Sequence, residues 1–114
     1  MTIFHIAHRA DWDAALVAGE YRVSSRGLTL DEVGFIHAST ADQLAPVAAR
    51  FYRDDPEDLI VLELDDVVLG DAVHWEDGGA GELFPHVFRA LRPGDVTANV
   101  PAYFDESGHF LLEN

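Results

Sequence analysis

Gly34-Phe35-Ile36-His37-Ala38-Ser39-Thr40, running directly into Ala41-Asp42-Gln43-Leu44, is the stretch on which the reading of the fold turns. Its first six residues are short, apolar and flanked by turn formers, and predict a second central strand. Thr40 followed three residues later by Gln43 is the capping-box pattern, which predicts a helix start at this point. The helix carries Leu44, Val47, Ala48, Phe51 and Tyr52 on one face, at the spacing of an amphipathic helix. Pro46 lies past the first turn, so a bend or a late start is expected.

Upstream, residues 3–7 (Ile-Phe-His-Ile-Ala) read as the first strand. Trp12, Ala15, Leu16 and Gly19 then fall at helical spacing over residues 11–18, with Asp11 as the expected cap and Gly19 as the terminating residue. Residues 21–23 suggest a brief strand and 24–29 a loop. Downstream, an acidic turn at 54–58 precedes residues 59–64, the strongest strand pattern in the chain. Residues 65–70 read as a loop or short helical turn, 73–76 as a strand and 77–81 as a flexible glycine turn. Residues 83–90 alternate as a strand, interrupted by Pro85, which marks an edge or a bulge. A turn at 92–95 leads to a last strand at 96–100, and no element is assigned beyond Ala102. Strands outnumber helices, and both expected helices lie in the first half. The pattern is α+β, with two helices packed on one side of a split sheet, in a single domain over residues 1–114.

Composition limits the function. Seven arginines, no lysine and 21 acidic residues give a formal charge of −14. Nucleic-acid backbones and anionic membranes are met by cationic surfaces, so neither partner is expected. No apolar run is long enough to span a bilayer and no leader pattern is visible. With no cysteine, disulfides and thiolate metal sites are excluded, and a cytoplasmic location is expected. An anionic ligand would have to be met by backbone N–H groups, histidines or one of the few arginines.

Three histidines, His5, His37 and His86, interrupt apolar strands. A buried imidazole needs a hydrogen-bond partner, so each is a satisfied core residue or part of a site. The sequence predicts that all three open onto one shared cleft. Ser39 and Thr40 read first as a helix cap, with N–H groups that could also meet a phosphate. Trp75 reads as core or as a site wall, and Glu82 as a turn carboxylate or a site residue. His5, His37, His86 and Glu82 are legitimate zinc ligands, but no two stand at a local ligand spacing, so no metal is expected. No nucleophile elbow or glycine-rich phosphate loop occurs.

Taken in order, the His5 strand, Trp12, Gly19, the stretch 34–40 and Gly81-Glu82-Leu83-Phe84-Pro85-His86-Val87-Phe88 resemble a bacterial family of unknown function, number 952 among such families. The resemblance covers nearly the whole chain. It implies the fold of the ADP-ribosyltransferase superfamily: an α+β, ADP-ribosyltransferase-like split β-sheet core with two N-terminal helices and a cleft for NAD. It further implies His5 on a ribose and Glu82 as the carboxylate that stabilises an oxocarbenium-like transition state in NAD-dependent ADP-ribosyl transfer or NAD glycohydrolysis. The nicotinamide-stacking aromatic is open between Phe35, Phe51 and Tyr52. The ligand-binding set expected is His5, Phe35, His37, Ser39, Thr40, Tyr52, Trp75 and His86. The resemblance departs at His37, where that superfamily has an apolar or aromatic residue. The partner expected is a nucleotide-like small molecule, NAD being the possible cofactor. A non-catalytic small-ligand module and a histidine-based metal site are the alternatives.

Overall fold

The computed structural model describes residues 1–113. Its frame is a four-stranded antiparallel sheet in the order β1-β4-β7-β8: β1 (Thr2–His8), β4 (Leu59–Asp65), β7 (Val96–Phe104) and β8 (Phe110–Leu112). Strand β4 pairs with β1 from Thr2↔Asp65 to His8↔Leu59, and with β7 on its other side. Being central, it buries both faces, which is why residues 59–62 are an unbroken apolar run rather than an alternation. Ile60, Leu62 and Leu64 join Ile3, Trp12, Ala15 and Tyr21 in one core; Val61 and Leu59 join Ile6, Leu44, Ala48 and Tyr52 in the other. Each fully buried aliphatic of this kind contributes about 1.5–3 kcal/mol.

Helix α1 (Arg9–Ala18) supplies the first core and α3 (Ala41–Phe51) the second. The two helices therefore sit on opposite faces of the sheet, where sequence placed both in one layer. One-turn helices complete a set of four among the described residues: α4 (Asp66–Leu69) is the short helical turn read at 65–70, and α2 (Leu30–Val33) was not expected. Helix α1 begins at Arg9 with His8 as N-cap; Asp11, expected to cap it, lies in the first turn instead. Gly19 ends it in the left-handed conformation (φ 84°), its N–H bonding to the Ala15 carbonyl. Helix α3 begins at Ala41, with both halves of the Thr40–Gln43 capping box formed, and absorbs Pro46 without a delayed start.

Two hairpins stand apart from this sheet: β2 (Val23–Ser25) with β3 (Leu28–Thr29), and β5 (Val73–Asp77) with β6 (Leu83–Val87). Between them and the sheet runs the stretch 34–40, which is not a central strand. It is an extended connector whose backbone bonds to the backbones of three different neighbours along its length. Ser39 exchanges backbone hydrogen bonds with Phe4 at the edge of β1 (both 2.8 Å), Ile36 with Val87 of β6 (2.7 and 2.9 Å), and the His37 N–H donates to the Ser24 carbonyl (3.0 Å). The apolar character that suggested a strand is real, since Ile36 and Ala38 are buried in the core while the His37 ring between them is only half-buried. What the pattern could not carry is that the partners of this backbone change along its length. No helix among the described residues is long and apolar enough to cross a membrane.

Candidate functional site

The connector, the edge of β1, helix α3 and the two hairpins enclose a cleft of two lobes. The first, about 320 Å³, lies under the β2–β3 hairpin and takes walls from Phe4, His5, Arg26, Leu28 and Tyr52. The second, about 290 Å³, lies against the β5–β6 hairpin and takes walls from Phe35, Asp77, Gly78, Phe84 and His86. His37, Ser39, Val47 and Phe51 line both, and form the sill on which the lobes meet. Each lobe is near the lower bound of small-molecule sites.

His5, central to the sequence reading, is buried and fully engaged. Its Nδ1–H donates to the His37 carbonyl, and its Nε2 accepts from the Tyr21 hydroxyl at 2.7 Å. Burial disfavours the imidazolium and lowers its pKa from 6.5 to about 4. His5 thus borders the first lobe with no ring nitrogen free for a ribose; it fixes the connector to α1's end of the core. Burial likewise holds the Tyr21 hydroxyl protonated by raising its pKa.

His37 and His86 differ from it. The Ser24 hydroxyl donates to the Phe35 carbonyl, so its oxygen, with the Ser24 carbonyl, receives the Nδ1–H of His37 at 3.0 and 3.2 Å. His86 donates Nδ1–H to Glu76 at 3.0 Å. These partners place a proton on Nδ1 of both rings and leave Nε2 of each turned away from them; in the neutral His37 that Nε2 is an acceptor. Neither Nε2 has a hydrogen-bond partner among the described residues, and neither has the Ser39 hydroxyl, although Ser39 is 4% and His86 7% exposed. Among those residues no side-chain polar atom is sealed from solvent without a partner, so these three atoms reach open space, which here is the cleft. Burial, with the nearby His86 ring, lowers the pKa of His37 and keeps it neutral. The two rings lie 5.4 Å apart at 67°.

Aromatic rings build the second lobe. Phe35 stacks on His86 at 4.1 Å and 11°, and Phe84 lies parallel to His86 at 6.5 Å, also 11°. Phe84 reaches this position because Gly78 opposite has no Cβ: one placed there would fall 2.5 and 2.6 Å from its ring. The hairpin is tied to the sill by Gln43, whose side-chain amide donates to the Leu83 carbonyl (2.7 Å) and the Glu82 carboxylate (3.1 Å).

In the first lobe Arg26 is held by Asp54 (2.7 Å), Asp55 (3.1 Å) and the Phe51 carbonyl (3.2 Å). The Asp55 side chain is 1% exposed. Burial opposes its ionisation, but hydrogen bonds from His8 and the Glu57 N–H, and the charge of Arg26, hold its pKa below the usual range. Tyr52, buried on α3, receives the Arg26 backbone N–H at 3.1 Å. Its hydroxyl is pushed up to about 12 by burial.

Of the residues expected from sequence, Phe35, His37, Ser39 and His86 come together, with His5 and Tyr52 as walls of the first lobe. Thr40 does not join them: its side chain is spent on the Gln43 N–H as a helix cap. Trp75 is displaced from the site. It pairs with Pro85, whereas His74 pairs with His86, so alternation puts it on the other face of the hairpin, 41% exposed. Glu82 is exposed on the hairpin turn, bound to Gln43, and lines neither lobe. Sequence reasoning missed Ser24, Arg26, Gln43 and Phe84, and weighed Glu76 only with Trp75 as a site wall. Glu76 and Phe84 had a signal: they stand across a glycine turn, in register with His86 on one face. No three histidine or carboxylate side chains among the described residues converge to hold a metal ion.

No curated protein matches the chain. Among solved structures, the crystal structure of protein CC0527 from Caulobacter crescentus is 32% identical, with a TM-score of 0.85, covering 97% of this chain and 94% of that one. A double mutant of the same protein matches equally (TM-score 0.85, 31% identity, 97% and 94%). Its solution NMR structure has a TM-score of 0.79 at 32% identity, covering 95% and 90%. Residues 6–99 match the family described as a protein of unknown function, DUF952, and the chain belongs to that family.

Proposed function

We propose that the two-lobed cleft binds a small molecule with a flat heteroaromatic ring and a sugar, of the NAD or related nucleotide class, and works as a binding module of ADP-ribosyltransferase-like ancestry. The observation that supports this most strongly is the sill. Ser39 and His86 are buried and His37 half-buried; Ser39 Oγ and the two Nε2 atoms lack protein partners among the described residues and border a lobe walled by parallel rings. Polar atoms so placed cost free energy unless a ligand or water meets them. A flat ring against Phe84 and His86, with its sugar hydroxyls on Ser39 Oγ and His37 Nε2, satisfies both needs. The family resemblance supplies NAD as the ligand to try; fold likeness by itself carries no function.

Binding rather than turnover fits the placement of the carboxylates. A catalytic Glu82 would have to leave Gln43 and swing from the hairpin rim into the lobe. The test is titration of isotope-labelled protein with NAD, followed by NMR, with assay of released nicotinamide. Shifts centred on Phe35, His37, Ser39, Phe84 and His86, without nicotinamide release, are expected. Release that disappears in Glu82→Gln while binding persists would instead make Glu82 catalytic. No shifts at millimolar NAD would refute NAD itself as the ligand.

A further inference from the structure

Resting on that reading, we infer that the cleft is selective for charge: the second lobe takes a cationic heteroaromatic ring, as in a pyridinium nucleoside, and each phosphate on the ligand weakens binding.

The argument begins with the cations. Among the residues lining either lobe, Arg26 is the one arginine, and there is no lysine in the chain. Arg26 already faces two carboxylates, Asp54 and Asp55, so a phosphate approaching it meets a pair of acids around one base. His5 and His37 do not replace it, since burial holds both neutral. The start of α3 offers no relief either. Its first turn carries Asp42, and the Thr40 hydroxyl already caps the Gln43 N–H. Phosphate sites are built on unspent cations, and the one arginine of this cleft is already paired with two carboxylates.

What the second lobe does have suits a cation. Phe35, His86 and Phe84 present nearly parallel rings, and a flat cation is attracted to the electron-rich face of an aromatic ring. Glu76 stands behind His86, Asp77 lines the lobe and Glu82 stands on its hairpin turn, adding negative potential from the same hairpin. The formal charge of −14 extends that field over the surface. Ser39 Oγ and His37 Nε2 remain as uncharged partners for sugar hydroxyls.

The experiment compares nicotinamide, nicotinamide riboside, nicotinamide mononucleotide and NAD by NMR titration of the whole chain at low and at moderate salt. The riboside should bind about tenfold more tightly than the mononucleotide at low ionic strength, with the gap narrowing as salt is added. Phe84→Leu and, separately, Asp77→Asn should each reduce riboside affinity about threefold or more, while the weaker binding of neutral nicotinamide changes less. Tighter binding of the mononucleotide or NAD than of the riboside would overturn the charge selection and leave the nucleotide reading intact. Equal losses for riboside and nicotinamide in both variants would overturn the account of the cation. Absence of shifts with all four compounds would refute the nucleotide reading, and the selectivity with it.

Discussion

His5 makes the fold sensitive to acid in a window of its own. In the folded chain its pKa is about 4, against 6.5 for an ordinary histidine, because both ring nitrogens are buried and used. Between these values the unfolded chain binds a proton at this position and the folded chain does not. Stability therefore rises with pH through the window: it is full above about 6.5 and falls as the pH drops towards 4. At about 1.4 kcal/mol per pH unit, the loss attributable to His5 reaches about 3 kcal/mol at pH 4. The lowered pKa of His37 acts in the same direction. The carboxylates held below their ordinary 3.8, Asp54, Asp55, Asp95 and Asp105, act elsewhere. They stabilise above that value and lose their contribution as pH falls through their lowered pKa values, at still greater acidity. Urea unfolding of the wild type and of His5→Gln, followed by fluorescence of the buried Trp12, separates the cases. At pH 7 the variant should be about 2 kcal/mol less stable, from two remade hydrogen bonds. From pH 7 to 4.5 it should lose much less than the wild type, which loses about 2–3 kcal/mol. Parallel slopes in the two proteins would refute the assignment of a neutral, buried His5.

Other perturbations probe the site's supports. Ser24→Ala removes the hydroxyl between Phe35 and His37, should cost about 1–2 kcal/mol in denaturant unfolding, and should alter the His37 tautomer balance seen in long-range nitrogen NMR. Gly78→Ala forces the Phe84 ring to move; it should cost about 1–3 kcal/mol and shift the resonances of Phe84 and His86 while leaving α1 unchanged. Asp55→Asn removes the charge between His8 and Arg26 and should lower stability at pH 7 by about 2 kcal/mol, with faster amide exchange in the β2–β3 hairpin.

Local signals in the chain foretold local structure. The capping box at Thr40 and Gln43, the glycine stop at Gly19 and the double-faced apolar run of β4 depend on neighbours in sequence, and each was legible. The path of residues 34–39 depended on which backbones would lie beside it, and alternation does not encode its partner. The site followed the same rule. His37, Ser39 and His86 were visible as polar residues in apolar surroundings. Whether a buried ring was spent or free was not visible, because it rested on distant partners: Tyr21 for His5, Ser24 for His37, Glu76 for His86. Trp75 and His86 illustrate the finer limit, since a hairpin in one register places them on opposite faces and the glycine turn sets that register.

The β5–β6 hairpin has an outcome for kinetics. It is a two-stranded ribbon outside the main sheet, and such ribbons are marginal by themselves. Backbone hydrogen bonds tie it near one end to the connector, through the Ile36–Val87 exchange, and the side chain of Gln43 ties it near its turn. Breaking the Gln43 contacts lets the turn peel away while the other end stays fixed. Phe84 and His86 would travel with it, so the second lobe would lose a wall without the core unfolding. For the ligand proposed for this lobe, Gln43→Ala should speed association and dissociation together, leaving the equilibrium constant less affected than either rate.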